Sequence, residues 1–295
     1  IVERLDATAA DAEITLCNSG IMAVDGGHLF SLLDEVGNDN AKGEYYLTEI
    51  VAGARARGLD CVHTMAAPEE VMGINDRAQL AEAEAVLQTR LRQAAMKNGA
   101  TLVDPATTWF SPDTVLGEDV TVGPNTVFGP GVTVADGVEI RAFCHLEGAK
   151  VGVGAIIGPY ARLRPGAEIG ENAHIGNFVE VKKARVEKGA KINHLSYIGD
   201  ARVGAGANIG AGTITCNYDG FTKSLSDIGA GAFIGSNSAL VAPVVIGDGA
   251  VVAAGSVITR DVAADAIAVA RGEQSERKGA AARRRDKKNS GQTKG

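Results

Sequence analysis

The chain has 295 residues, 45% of them hydrophobic, which is length and apolar content enough for two buried cores. It has no run of about 18 apolar residues and no signal-peptide pattern, which argues against a membrane-spanning helix and leads to the expectation of a cytoplasmic protein. Cys17, Cys61, Cys144 and Cys216 are scattered without CxxC spacing, suggesting neither a disulfide framework nor a zinc knuckle.

The chain opens at Ile1 without Met, in a segment that reads as a strand, Ile1-Val2-Glu3, and a preceding segment is expected. Residues 1–75 mix short apolar runs (Gly20 to Val24, Gly58 to His63) with helical stretches (His28 to Val36, Tyr46 to Arg57), the pattern of an α/β domain. They are too few for a whole domain of that kind and hold no Gly-rich loop after a strand to cradle phosphates. They are expected to form the C-terminal part of a nucleotide-binding domain. Residues 76–113 are a linker, in which Leu80, Ala83, Leu87, Leu91 and Ala94 recur at helical spacing. This predicts an amphipathic helix ending near Asn98-Gly99.

Residues 114–262 carry a six-residue beat. An aliphatic anchor, usually followed by Gly, recurs from Leu116 and Val122 to Val203 and Ile209, then from Ile228 to Ile258. Three steps are five residues instead: Leu146 to Val151, Val181 to Val186, and Ile198 to Val203. They follow the sixth, twelfth and fifteenth anchors, so the chain counts in triplets. Hexapeptides grouped in threes predict a three-sided parallel β-helix, with every short step at the same corner. The fifth position of a beat is small (Ala155, Ala161, Ala167, Ala173, Ala190, Ala207), as a narrow interior requires. Gly at the second position is expected to supply positive φ at the corners.

The beat breaks from Thr215 to Asp227, predicting a loop expelled from one corner, where function commonly sits. Lys223 at its far end could close over a ligand or reach a neighbouring subunit. Residues 263–295 form a C-terminal segment and basic tail. From 271 to 295 nine Lys or Arg face three acids, an excess of six positive charges that leaves −13 on the remainder. Without apolar periodicity the tail is expected to be mobile. Nucleic acid or anionic lipid could touch it, but the acidic body repels the same polyanions, and neither is expected as a partner.

On a β-helix, residues 17 or 18 apart lie on adjacent coils about 4.8 Å from each other. Arg164 and Lys182 then stack at one corner, in a column with Glu147 and Gly199. Two stacked cations are either a solvated surface pair or the two sides of a phosphate site, since Arg grips phosphate bidentately and Lys adds a point charge. On the neighbouring side the third positions give the column Pro159, Asn177, His194, Ala211, and the sixth positions give Glu180 and Tyr197. A lone surface histidine usually does nothing. Here Arg164, Lys182, Tyr197 and Asn208 surround one whose ordinary titration range suits a general base.

Four runs go beyond a generic hexapeptide pattern: Arg164-Pro165-Gly166-Ala167-Glu168, Gly176-Asn177-Phe178-Val179-Glu180-Val181-Lys182-Lys183, His194-Leu195-Ser196-Tyr197-Ile198-Gly199-Asp200, and Asn208 through Gly220. With Asn40 to Thr48 and Gly73 to Arg77, they resemble the bacterial bifunctional N-acetylglucosamine-1-phosphate uridyltransferase and glucosamine-1-phosphate N-acetyltransferase family, over essentially all of residues 1–271.

The resemblance implies a left-handed β-helix and a homotrimer with acetyl transfer in a cleft between subunits. The product, N-acetylglucosamine-1-phosphate, would feed UDP-N-acetylglucosamine synthesis. By motif match His194 is the general base toward the amine of glucosamine-1-phosphate, and Arg164 and Lys182 are phosphate ligands. Tyr197, Asn208, Asn217 and Tyr218 line the sugar and acetyl site, and Lys223 joins the substrate-binding set. Ala211, Ser236, Ala254 and Arg271, with Asn217 and Tyr218, hold acetyl-CoA. From proximity, not from the resemblance, Glu180 is expected to orient His194. In the other half Glu3, Asn18 and Asn75 match contacts to UDP-N-acetylglucosamine, Asn75 being one of two protein ligands to Mg2+. The second ligand, an Asp, and the Gly-rich triphosphate loop fall upstream of Ile1. The chain is therefore expected not to perform uridyl transfer alone.

Three alternatives are another hexapeptide acyltransferase, a non-catalytic β-helix scaffold, and a metal-dependent hydratase resembling γ-class carbonic anhydrases. The last wants histidines facing one cleft, and His145, His174 and His194 fall out of column. A scaffold would have bland corners rather than paired cations and a sequence-rich loop.

Overall fold

The computed structural model describes residues 1–292, with side chains to residue 288. Two compact units divide between Leu87 and Gln88, within a long helix.

In the first unit Asp25 caps helix α1 (Gly26–Leu33), its carboxylate accepting from the Gly27 amide at 2.7 Å. Helix α2 (Glu49–Ala56) packs on it through Leu32, Ile50 and Ala54. Arg57 ties the two together, donating to the Ser31 hydroxyl at 2.7 Å and pairing with Glu35. Helix α2 falls within the stretch expected to be helical, and α1 overlaps its expected stretch but begins two residues earlier, at Gly26. The strands expected beside them do not form: Ile1 to Glu3, Gly20 to Val24 and Gly58 to His63 have no ladder partner among the described residues, and Ile1, Val2, Ile21 and Val62 are exposed. A strand exists only where another backbone takes up its N–H and C=O groups, which propensity alone does not provide.

Helix α3 (Arg77–Lys97) ends at Gly99, whose φ of +97° only glycine adopts freely. Its second half caps the open end of the following domain. The buried Gln88 amide donates to the Phe110 carbonyl at 2.7 Å and accepts from the Phe110 amide at 2.9 Å. Leu91 and Ala95 close the core below it.

From Thr101 the chain winds into a parallel β-helix of hexapeptide repeats. Ten strands, Thr101–Leu102 to Ile267–Ala268, stack as the first side. Fifteen more form the second and third sides, joined into one sheet because Glu180–Val186 and Tyr197–Val203 run unbroken around their shared corner. Those two strands span two of the five-residue steps, where no sixth residue is left to interrupt pairing. The anchors stack as an aliphatic column; Ile140, Ile157, Ile175 and Ile192 are fully buried in register. Each such side chain contributes about 1.5–3 kcal/mol. At three fifth positions the hydroxyl turns onto the carbonyl three residues back: Thr126 to Gly123 at 2.9 Å, Thr213 to Gly210 at 2.7 Å and Ser238 to Gly235 at 2.6 Å.

Two expectations are corrected. Second-position glycines other than Gly158 (φ +89°) serve close approach of coils rather than positive φ: a Cβ on Gly204 would lie 2.4 Å from the Ala230 nitrogen, and one on Gly176 1.9 Å from the Asn193 carbonyl oxygen. Positive φ comes two residues later, at the fourth position, filled mostly by Gly, Asn and Asp. The beat also does not stop at Ile209. Thr215 occupies the next anchor site, fully buried, with its hydroxyl accepting from the Gly199 amide at 2.8 Å, so the expelled loop begins after it.

At the corner of the first and second sides the positive-φ positions hold Phe143, Tyr160, Phe178 and Leu195. Such residues cost on the order of 1–3 kcal/mol each in that conformation. Stacking offsets it: Phe143 and Tyr160 lie with ring centroids 4.8 Å apart, Tyr160 and Phe178 5.1 Å apart. Tyr160→Ala keeps the strained backbone and loses both stacks. It is expected to lower the unfolding free energy by about 1–3 kcal/mol, read by denaturant titration.

Where a mobile tail is expected, Ala280–Gln292 form a helix, α4, in keeping with the high helix propensity of Ala, Arg and Lys. Residues 293–295 of the expected tail, including Lys294, fall outside the described residues. No described helix is long and apolar enough to cross a membrane.

Candidate active site on the β-helix

Asn177 and His194 end their strands in direct register on the first side, and the backbone ladder continues their column onward. The Asn237 amide donates to the Ala211 carbonyl at 2.8 Å and the Gly255 amide to the Ser236 carbonyl at 2.8 Å. The Arg271 guanidinium closes the column on the Ala254 carbonyl at 2.7 Å. One corner therefore aligns His194, Ala211, Ser236 and Ala254, with Arg271 at the far end. At about 4.8 Å per coil, His194 and Ala254 are separated by roughly 14 Å. That is an extended groove edge for a long, narrow ligand.

The second side lies between this corner and the cationic one. Glu180 and Tyr197 pair in register on its outer surface. At its far edge Arg164 and Lys182 sit on adjacent coils, as their column predicts. The Arg164 guanidinium reaches back across the side to the Glu180 carboxylate at 2.7 Å, which holds the arginine charge more firmly. The Lys182 ammonium is held below the usual lysine range, first by its hydrogen-bonding contact with Lys223 and then by that neighbour's charge, with Arg164 adding to it. Three cations thus converge at one exposed corner. Such a cluster is stable only with anions among it; Glu180 serves one cation, and Asp200 offsets Lys182.

The Glu180 pairing corrects one expectation: Glu180 does not orient His194. Arg164 takes the carboxylate because it is charged and long enough to reach it, and Asn177 takes the imidazole, Oδ1 to Nδ1 at 2.6 Å. Asn177 stands in the sequence-derived column but carries no charge, so nothing in the sequence singled it out.

The remaining expected residues are dispersed. Asn208 lies on the outer first side, beside Lys191. The loop after Thr215 is tied down at its base by the Asn217 amide on the Asp200 carboxylate, while Tyr218 turns its hydroxyl to the Gly220 carbonyl and stays exposed. Asn217, Tyr218 and Lys223 thus belong to the cationic corner, not to the column of Ala211, Ser236 and Ala254. His174 lies on the first side and His145 on the second, with no cluster of three His, Cys, Asp or Glu able to hold a metal among the described residues. Burial pushes the Cys144 thiol up to about 11, so it is not a nucleophile near neutral pH.

In the first unit Glu3 and Asn18 line one shallow hollow of about 400 Å³ with Tyr45, Tyr46 and Thr48. Asn75 is not part of that lining; its amide N–H donates to the Gln79 side chain at 2.6 Å. Among the described residues no group of three or more His, Cys, Asp or Glu able to hold a metal lies around Asn75.

This coil geometry defines the class: a hexapeptide-repeat β-helix, whose residues 113–148, 148–183 and 226–260 match the family "Bacterial transferase hexapeptide (six repeats)". Over nearly all its length the chain is also similar to proteins named "Bifunctional protein GlmU". It is 66% identical over 283 residues to that of Paramagnetospirillum magneticum, covering 96% of this chain and 63% of the relative. To that of Rhodospirillum rubrum it is 65% identical, covering 96% and 64%. The family resemblance read from the motifs stands, for a chain spanning somewhat less than two thirds of these relatives. A solved LpxA structure from Acinetobacter baumannii matches 61% of this chain and 76% of its own at 19% identity and a TM-score of 0.46, too loose a likeness to bear on function.

Proposed function

We propose that the β-helix transfers an acetyl group from acetyl-CoA to the amine of glucosamine-1-phosphate. The observation that carries this reading is the second side, bounded by an imidazole at one corner and by Arg164, Lys182 and Lys223 at the other. A side is roughly 10 Å across, and the Arg164 guanidinium reaches back over it. An amino sugar phosphate can therefore place its phosphate among the cations and its amine toward His194. The thioester would lie along the column of Ala211, Ser236 and Ala254, its anionic end toward Arg271.

In this arrangement His194 takes a proton from the substrate nitrogen as it attacks the thioester carbonyl. The C–N bond forms, the C–S bond breaks, and the coenzyme thiolate leaves with the electron pair. The names of the relatives support the same reading. The division of acetyl-CoA residues between two corners, with Tyr218 exposed, supports an assembly in which a neighbouring copy completes the groove, in keeping with a homotrimer. In the first unit the hollow of Glu3 and Asn18 supports contact with a nucleotide sugar. No Mg2+-dependent step is assigned to it.

The test follows free thiol release from acetyl-CoA. Turnover is expected with glucosamine-1-phosphate and a far lower kcat/KM with glucosamine, which lacks the anion. Equal rates with both acceptors would overturn the phosphate assignment, and no turnover with either would overturn the reading.

A further inference from the structure

We infer that Asn177 is the positioning residue of the candidate base: its amide oxygen accepts the Nδ1–H of His194, locks that tautomer, and leaves the basic lone pair on Nε2. Acetyl transfer is assumed for the chemistry, while the tautomer follows from the geometry alone.

The two residues are Cα partners on adjacent coils, with Oδ1 and Nδ1 2.6 Å apart. The approach is built into the backbone. Gly176 precedes Asn177, and any Cβ there would meet the Asn193 carbonyl oxygen at 1.9 Å, so only glycine lets these coils close where the pair sits. A neutral imidazole carries one proton, and an amide oxygen accepts but cannot donate. The contact therefore specifies which ring nitrogen is free.

The partner is also uncharged, which matters for a base. A carboxylate beside the ring would favour imidazolium and keep the proton on before catalysis begins. Glu180, the carboxylate paired with Tyr197 on the neighbouring side, is engaged by Arg164 instead. The other groups around the ring are Lys191 on its own strand, His174 on the preceding coil and Tyr197 past the corner; the following coil offers uncharged Asn208 and Ala211. His174 is itself held toward its neutral form, chiefly by burial and then by Arg141 and Lys191. An amide at position 177 orients the imidazole without adding a negative charge to it.

Two readouts separate this inference from the reaction it assumes. In ¹⁵N NMR of the full chain without substrate, above the imidazole titration, His194 is expected as the Nδ1–H tautomer, and Asn177→Ala is expected to shift it toward the Nε2–H form that free histidine prefers. In turnover, Asn177→Ala is expected to lower kcat roughly tenfold or more with little change in either KM. Asn177→Asp keeps the acceptor and is expected to recover part of kcat, while moving the acid limb of the pH profile up by about one unit. An Nε2–H resonance in the wild-type chain would overturn the inference even if acetyl transfer proceeds. If wild-type acetyl transfer is absent, the reaction is wrong, and the NMR arm still decides the tautomer.

Discussion

His194→Ala is expected to lower kcat for acetyl transfer by about 10²- to 10⁴-fold, the usual contribution of a positioned general base, with both KM values nearly unchanged. The side chain ends a strand on the outside of the coil, whereas the aliphatic anchors inside are untouched, so the coil should fold as before. Circular dichroism and the thermal midpoint check this. Residual turnover should rise with pH, because more of the substrate's ammonium group is then already deprotonated to the nucleophilic amine without help from an enzyme base. Undiminished kcat in a folded His194→Ala variant would remove His194 from the mechanism.

Arg164→Ala is expected to raise KM for glucosamine-1-phosphate by about ten- to a hundredfold, the effect of losing a charge-assisted hydrogen bond, and to leave KM for acetyl-CoA alone. Two effects add. The phosphate loses one cation, and Glu180 loses its partner and becomes a free anion beside the phosphate's place. A second substitution tests the split: Arg164→Ala with Glu180→Gln should recover part of the loss, because the repulsive half is gone. Equal losses in both KM values would count against the corner as a phosphate site, since the column of Ala211, Ser236 and Ala254 proposed for acetyl-CoA runs along the opposite corner.

The β-helix was legible because its signal is periodic and local. Each hexapeptide closes the same side and corner, and the short steps mark one corner. The stacking of Arg164 on Lys182 and of Asn177 on His194 follows from that period without any knowledge of contacts. Thr215 was missed because it satisfies an anchor position by hydrogen bonding to Gly199 rather than by apolar burial. The strands expected in the first unit failed for the opposite reason, since their apolar runs are real but no strand among the described residues pairs with them.

The sequence alone therefore determined the coil, its register and the columns of residues along each corner, because a six-residue period leaves no other way to bury the anchors. It did not determine how side chains within reach of each other pair. Several donors and acceptors lie a few ångströms apart at the site, and sequence spacing places them on neighbouring rungs without ranking their contacts. Only the tertiary structure put Glu180 on Arg164, Lys223 against Lys182 and the Asn177 amide on the His194 ring. Charge and reach settled the first pairing, loop closure the second, and the glycine-seated approach of two coils the third.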